Sequence, residues 1–201
     1  MSKKNYNKNI DKKFEIKTEG LRDFKNNHLY NRTESTSYFA LEKLTNQVVF
    51  NENDCLVDYG SGRGRVCFYI NNKFDCKLKG IEAQPLTFDE AIENLRSYSS
   101  HKTNYNDKIY FINMIAEDYI VEEEDNIFYF FNPFSLVIYK KVLTNILKSL
   151  KEFPRKIKVI LFYPFNDFIR YMDNISELSI TSIIEVYDSS DLDEKFIIYE
   201  N

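Results

Sequence analysis

The sequence predicts an α/β domain built on a doubly wound, mostly parallel sheet, and three observations carry that prediction. Short apolar runs alternate with helical patterns from Cys55 to about Asn166, which reads as strands joined by right-handed helical crossovers. A glycine-rich loop, Gly60-Ser61-Gly62-Arg63-Gly64, ends the first of these runs and opens a helical pattern. The tail then breaks the alternation: two apolar runs flank the polar turn Asp188-Ser189-Ser190-Asp191, predicting a closing antiparallel hairpin and seven strands in all.

A chain of 201 residues suits one domain with a substantial core. With 43% apolar and 16% aromatic residues, intrinsic disorder is excluded. A net charge of −4 is too mild to call for a nucleic-acid or membrane partner. Residues 1–27 read as a basic, poorly patterned arm ahead of a single domain over 28–201. Within the arm, Lys3, Lys4, Lys8, Lys12, Lys13 and Lys17 face only Asp11 and Glu15, which predicts a solvated, frayed tail, with phosphate contact as the alternative. Cys55, Cys67 and Cys76 lack metal-ligand spacing and fit reduced core thiols, so no metal is expected. The N-terminus shows no apolar signal region, and the longest apolar stretch, Ile127 to Tyr139, is short for a bilayer and broken by Asn132-Pro133. The expected location is the cytoplasm, with no membrane partner.

In chain order, His28 to Ser35 is polar and predicts a loop. A helix follows from about Ser37, with Phe39, Leu41, Leu44 and Val48 as its apolar positions. The first strand is Cys55 to Tyr59, its helix runs from about Gly64 to Asn72, and the second strand is Leu78 to Ala83. Pro85 suits the entry of a helix reaching about Ser99, with Phe88, Ala91, Ile92 and Leu95 inward. Strands are predicted at Ile109 to Ala116 and Ile127 to Phe131. Ser135 is expected to cap a helix whose Ile138, Val142, Ile146 and Leu150 recur every fourth residue, with Lys141, Lys148 and Lys151 on its wet side. A fifth strand spans Ile157 to Tyr163, a helix starts near Asn166, and the last two strands are Ile180 to Tyr187 and Lys195 to Tyr199.

In open α/β sheets a ligand sits beyond the carboxyl ends of the strands, so the residues closing each strand carry the functional expectation. Three of the chain's five glycines fall in the loop after the first strand, where backbone N–H groups and a helix N-terminus face outward. The spacing is G-x-G-x-G, and Arg65 stands where a dinucleotide fingerprint has its third glycine. The run VDYGSGRGRV resembles the first motif of the class I S-adenosylmethionine-dependent methyltransferases. A terminal hairpin inserted in the sheet also fits that Rossmann-like methyltransferase fold, and the resemblance covers roughly residues 30 to 200.

That resemblance implies S-adenosyl-L-methionine as cofactor. Gly60, Ser61, Gly62 and Gly64 would lie against its methionine part, with Asp58 facing the ammonium. Glu82, followed by Ala83, lies twenty residues after Gly62, the distance at which an acid can accept from ribose hydroxyls. Ala116-Glu117-Asp118 is similar to the family's third motif, whose backbone N–H and acidic side chain address adenine. Ile115 stands where many relatives carry Asp, so either Glu117 or Asp118 could serve. Phe131-Asn132-Pro133-Phe134 partly matches the (Asp/Asn/Ser)-Pro-Pro-(Tyr/Phe) motif of methyltransferases acting on amino groups.

The chemistry makes sense of these residues. An amine whose hydrogens are held by the Asn132 side-chain oxygen and a neighbouring carbonyl keeps its lone pair aimed at the methyl group. Pro133 stiffens the corner, and Phe134 offers a stacking face. Tyr163 closes the fifth strand on the same edge, while Tyr30 and Arg32 precede the first helix, in a segment that often closes over the cofactor in this family. These three are the candidate substrate residues; His28 and His101 are read as non-catalytic. The expected activity is methyl transfer to an amino or amide nitrogen, as in small bacterial methyltransferases. The acceptor could be a small molecule, a protein side chain or RNA. A regulatory protein that binds the cofactor without activity, or an NAD-dependent oxidoreductase, is the alternative.

Overall fold

The structure, a computed structural model, describes residues 3–23, 28–102, 105–186, 191 and 193–201. Five strands, β1 (Cys55–Tyr59), β2 (Lys77–Glu82), β3 (Ile109–Asn113), β4 (Ile127–Phe130) and β5 (Lys158–Phe162), run parallel; an α-helix joins each successive pair except β3 and β4, between which only a 3₁₀ turn lies. Two more strands, β6 (Ser179–Glu185) and β7 (Lys195–Glu200), complete a sheet of order β3-β2-β1-β4-β5-β7-β6, with β7 antiparallel to both neighbours. The order reverses between β1 and β4, which places the ligand crevice at their carboxyl ends. All residues of β1 and β4 are buried, as expected of central strands covered on both faces.

One layer holds α2 (Tyr38–Thr45) and α3 (Arg65–Lys73), whose Leu41, Leu44, Phe68 and Ile70 meet Leu56, Leu78 and Tyr129 of the sheet. Against the other face lies α5 (Leu136–Glu152), packing Ile138, Val142 and Ile146 on Val57, Phe128 and Val159. Its Lys141, Lys148 and Lys151 are exposed, as the period of four requires. Two further helices are α4 (Pro85–His101), with Pro85 in its first turn, and α6 (Asn166–Met172).

Three expectations are corrected. Residues 3–13 are not frayed but form α1 (Lys3–Lys13), and Phe14 and Ile16 after it are buried in the core of the domain. The basic run is therefore part of the folded unit. The third strand stops at Asn113 rather than Ala116, because the Asn113 side chain turns back to donate to the Glu82 carbonyl, and a 3₁₀ turn occupies Ala116–Asp118. Ser135 occupies the N-cap position of α5 without a capping side-chain bond, whereas Ser37 does cap α2 by accepting from the Ala40 N–H at 3.2 Å. The other strand ends agree within about a residue, except that β6 ends at Glu185; Tyr187 and turn residues 188–190 lie outside the described residues. Among the described residues no helix is long and apolar enough to cross a membrane.

Candidate cofactor and acceptor site

β1 delivers the chain into the glycine loop, where Gly60, Gly62 and Gly64 have φ of 76°, 55° and 88°. These left-handed values turn the backbone across the end of β2, so the Gly60 and Ser61 N–H groups both donate to the Ile81 carbonyl at 2.9 and 3.1 Å. Gly62 donates instead to the Glu82 carboxylate, 2.9 Å away. A side chain on Gly64 would collide with Phe111 and Phe68, so this glycine serves helix–strand packing. The Ser61 hydroxyl points down towards Gly80 and has no hydrogen-bond partner.

Asp58 and Glu82 are both buried carboxylates at this edge. One oxygen of Asp58 has no partner, and burial, with the nearby Glu82 charge adding to it, pushes its pKa up to about 8. Burial also raises Glu82, although the N–H groups of Gln84 and Gly62 and the Arg63 and Arg22 charges pull the other way. Beyond β3, Ala116 is buried against the crevice while Asp118 is exposed and faces a separate groove with Ile120. Glu117 lines that groove too, but of the two candidate adenine acids it is the one bonded to the strap: its carboxylate accepts from the Tyr30 hydroxyl at 2.5 Å.

The end of β4 is a rigid corner. Asn132 adopts φ 40° and its side-chain amide donates to the Tyr163 carbonyl at 2.5 Å, which leaves the side-chain oxygen as its free acceptor. A strap formed by residues 29–34 is stitched along this corner. Ser135 N–H donates to the Leu29 carbonyl (2.7 Å), Asn31 N–H to the Pro133 carbonyl (3.0 Å) and the Asn31 side chain to the Asn132 carbonyl (2.8 Å). The carbonyls of Asn132 and Pro133 are thus both held by Asn31.

Two cavities meet across the strap. The inner one, about 30 Å³, is walled by Gly60, Glu82, Ala83, Ala116, Pro133 and Phe134 and closed by Tyr30. The outer one, about 690 Å³, holds Asn132, Tyr163, Phe162 and Phe165 with the acids Glu34, Asp191 and Glu194. Asn31, Arg32, Glu34 and Phe131 belong to both. Arg32 and Tyr163, the expected acceptor residues, both line the outer cavity. Tyr30 faces the inner cavity instead, and Phe134, fully buried beneath Tyr30 and Phe130, offers no open stacking face to an acceptor.

The sequence reading missed the two arginines of the loop. Arg63 bonds Glu90 and the Gly20 carbonyl, both at 2.8 Å, and Arg22 joins the same Glu90 at 2.7 Å. Arg65 lies over the Tyr38 ring, donates to Thr18 Oγ1 at 2.6 Å and faces the buried Asp11 at 3.8 Å. Together they fasten the N-terminal segment to the glycine loop. The signal was available: Tyr6, Ile10 and Phe14 recur every fourth residue, as one face of a helix does.

The donor set fits S-adenosylmethionine. The unpaired oxygen of buried Asp58 suits an ammonium, the left-handed glycines leave the backbone bare, and Glu82 is an acid at the ribose distance. No sequence match is found among curated proteins. Several solved structures share the fold. An RNA methyltransferase from Salinibacter ruber, in complex with S-adenosyl-L-homocysteine, is 17% identical, with TM-score 0.57, over 84% of this chain and 92% of that one. An rRNA methylase from Streptococcus thermophilus is 13% identical, with TM-score 0.53, over 82% and 92%. A precorrin 8W decarboxylase from Methanobacterium thermoautotrophicum is 15% identical, with TM-score 0.59, over 84% and 92%. The family model described as histone methylation protein DOT1 matches residues 12–195, and the chain thus belongs to the DOT1 family of class I methyltransferases, whose cofactor is S-adenosylmethionine.

Proposed function

We propose that this protein transfers a methyl group to an amino nitrogen on a protein side chain. The observation that carries the proposal is the Asn132 corner, placed where the inner cavity and the larger, acid- and aromatic-walled cavity adjoin. Bound S-adenosylmethionine supplies an electrophilic methyl group on a sulfonium sulfur. The chain's own residues hold and orient what meets it. Glu34, Asp191 and Glu194 attract a protonated amine, and Phe131, Phe162, Tyr163 and Phe165 give its alkyl stem an apolar channel. Once the amine has lost a proton to solvent, Asn132 Oδ1 accepts one remaining N–H and fixes the direction of the lone pair. Among the described residues lining this cavity there is no Lys or His to deprotonate a hydroxyl, which supports nitrogen as the target.

The family's description, histone methylation, supports a protein acceptor. The acidic wall disfavours the phosphates that RNA would bring. The test is transfer of labelled methyl from S-adenosylmethionine into fractionated cell extract, comparing wild type with Asn132→Ala. Label in a protein fraction, dependent on Asn132 and stable to ribonuclease, is expected. Label that ribonuclease removes would overturn the assignment.

A further inference from the structure

The inner cavity is closed in a particular way. Its wall runs from Glu82, at the end of β2, to Ala116, just beyond β3, which is the span a nucleoside covers when its ribose meets the acid of the second strand. The free space there, about 30 Å³, is far less than a purine needs. What fills the span is the side chain of Tyr30. Its hydroxyl accepts from the Ala116 N–H at 3.3 Å and donates to Glu117 at 2.5 Å. One acceptor and one donor are the same two roles that the pairing edge of adenine presents. The Tyr30 ring is held edge-to-face on Phe134, 5.9 Å between centroids, and its backbone bridges that residue in antiparallel fashion.

We propose that Tyr30 is a gate in the adenine subsite: its phenol takes adenine's place, and the nucleoside enters only when the strap carrying Tyr30 swings out. The inference depends on the cofactor reading of this crevice and adds its regulation. The strap gives the gate a second consequence. Asn31, Arg32 and Glu34 line the acceptor cavity as well, and Asn31 is bonded to the carbonyls of Asn132 and Pro133. Displacing Tyr30 therefore frees those carbonyls and reshapes the acceptor cavity, so that the cofactor binds first and the acceptor second.

Affinity for a protein whose competent state is partly populated is lowered by that population, so weakening the closed state tightens binding. Tyr30→Phe keeps the ring and deletes both hydroxyl bonds. Calorimetric titration of the full chain with S-adenosylhomocysteine should show roughly tenfold tighter binding in Tyr30→Phe than in wild type, the size expected when a hydrogen bond to a charged group is lost from the competing state. The same gain should appear with methylthioadenosine, which lacks the amino-acid end, while the melting temperature of the ligand-free variant stays level or falls. A merely structural residue would not raise affinity while leaving stability level or lower. Wild type that binds, with Tyr30→Phe no tighter or weaker, overturns the gate alone, as does a gain absent with methylthioadenosine. If wild type, Tyr30→Phe and Tyr30→Ala, all folded by circular dichroism, fail to bind S-adenosylhomocysteine, the cofactor reading and the gate fall together.

Discussion

Asn132 and Tyr163, at the ends of adjacent strands β4 and β5, both hold left-handed backbones (φ 40° and 51°) and are joined by the bond from the Asn132 amide to the Tyr163 carbonyl. Each such conformation costs a non-glycine residue about 1–3 kcal/mol, and strain of this kind gathers at functional sites. The bond fixes which end of the Asn132 amide faces the acceptor cavity.

Replacing that side chain separates chemistry from backbone strain. Asn132→Gly tolerates the left-handed angle and should fold at least as stably as wild type, while its turnover falls roughly a hundredfold or more. Cofactor affinity should change little in calorimetry. An equal loss of affinity and turnover would make Asn132 a cofactor residue instead.

Asp58 should make cofactor binding depend on pH. Its folded pKa of about 8 lies above the ordinary 3.8, so the folded state holds a proton that the unfolded state has lost between these values. Stability is then fully present below about pH 4 and is lost as pH rises towards about 8, the reverse of a salt-bridged carboxylate. An ammonium favours the ionised form, so affinity for S-adenosylhomocysteine should rise as pH approaches about 8. Asp58→Asn should remove this contribution to the pH dependence of stability and weaken binding; a wild-type affinity that stays level between about pH 6 and pH 8 would rule out this role.

Gly62 tests the loop. A Cβ there would come within 2.9 Å of the Thr33 methyl, on a backbone of φ 55° that side chains rarely adopt. Gly62→Arg should leave a folded protein, seen by circular dichroism, that no longer binds S-adenosylhomocysteine. Normal binding by this variant would remove the loop from the cofactor site.

The N-terminal segment should be essential to stability. Asp11 is buried, accepts from the Thr18 N–H and the Tyr38 hydroxyl, and is the counter-charge of buried Arg65. Asp11→Ala strands that arginine, a change that costs about 3–5 kcal/mol. Urea unfolding measures it; a loss below about 1 kcal/mol would mean that the arm is ornamental.

The sheet was legible because apolar runs such as Leu56-Val57 and Ile127 to Phe130 are short, dense and punctuated by Gly or Pro. The twenty-residue spacing pointed to Glu82 as an acid at the crevice; that its carboxylate accepts from the Gly62 N–H is a feature only the folded loop displays. The N-terminal helix was passed over because lysines outnumber its apolar residues, although Tyr6, Ile10 and Phe14 share one face; what stabilises it are the tertiary contacts of Phe14 and Asp11. Arg65 shows the same limit. Its position argued against a dinucleotide site, yet its partner is Asp11, far away in the chain and near only after folding. The Asn-Pro corner was visible as a motif, but its orientation depends on a carbonyl from the next strand.

Strand β7, the last of the described strands, lies between β5 and β6. During synthesis, residues 195–200 emerge from the ribosome only after every other strand has appeared. Until then β5, almost wholly apolar, has one unpaired edge, which is an open template for other chains. Translation of this protein therefore passes through an adhesive interval that ends when β7 inserts, and a chaperone that shields sheet edges would act in that interval.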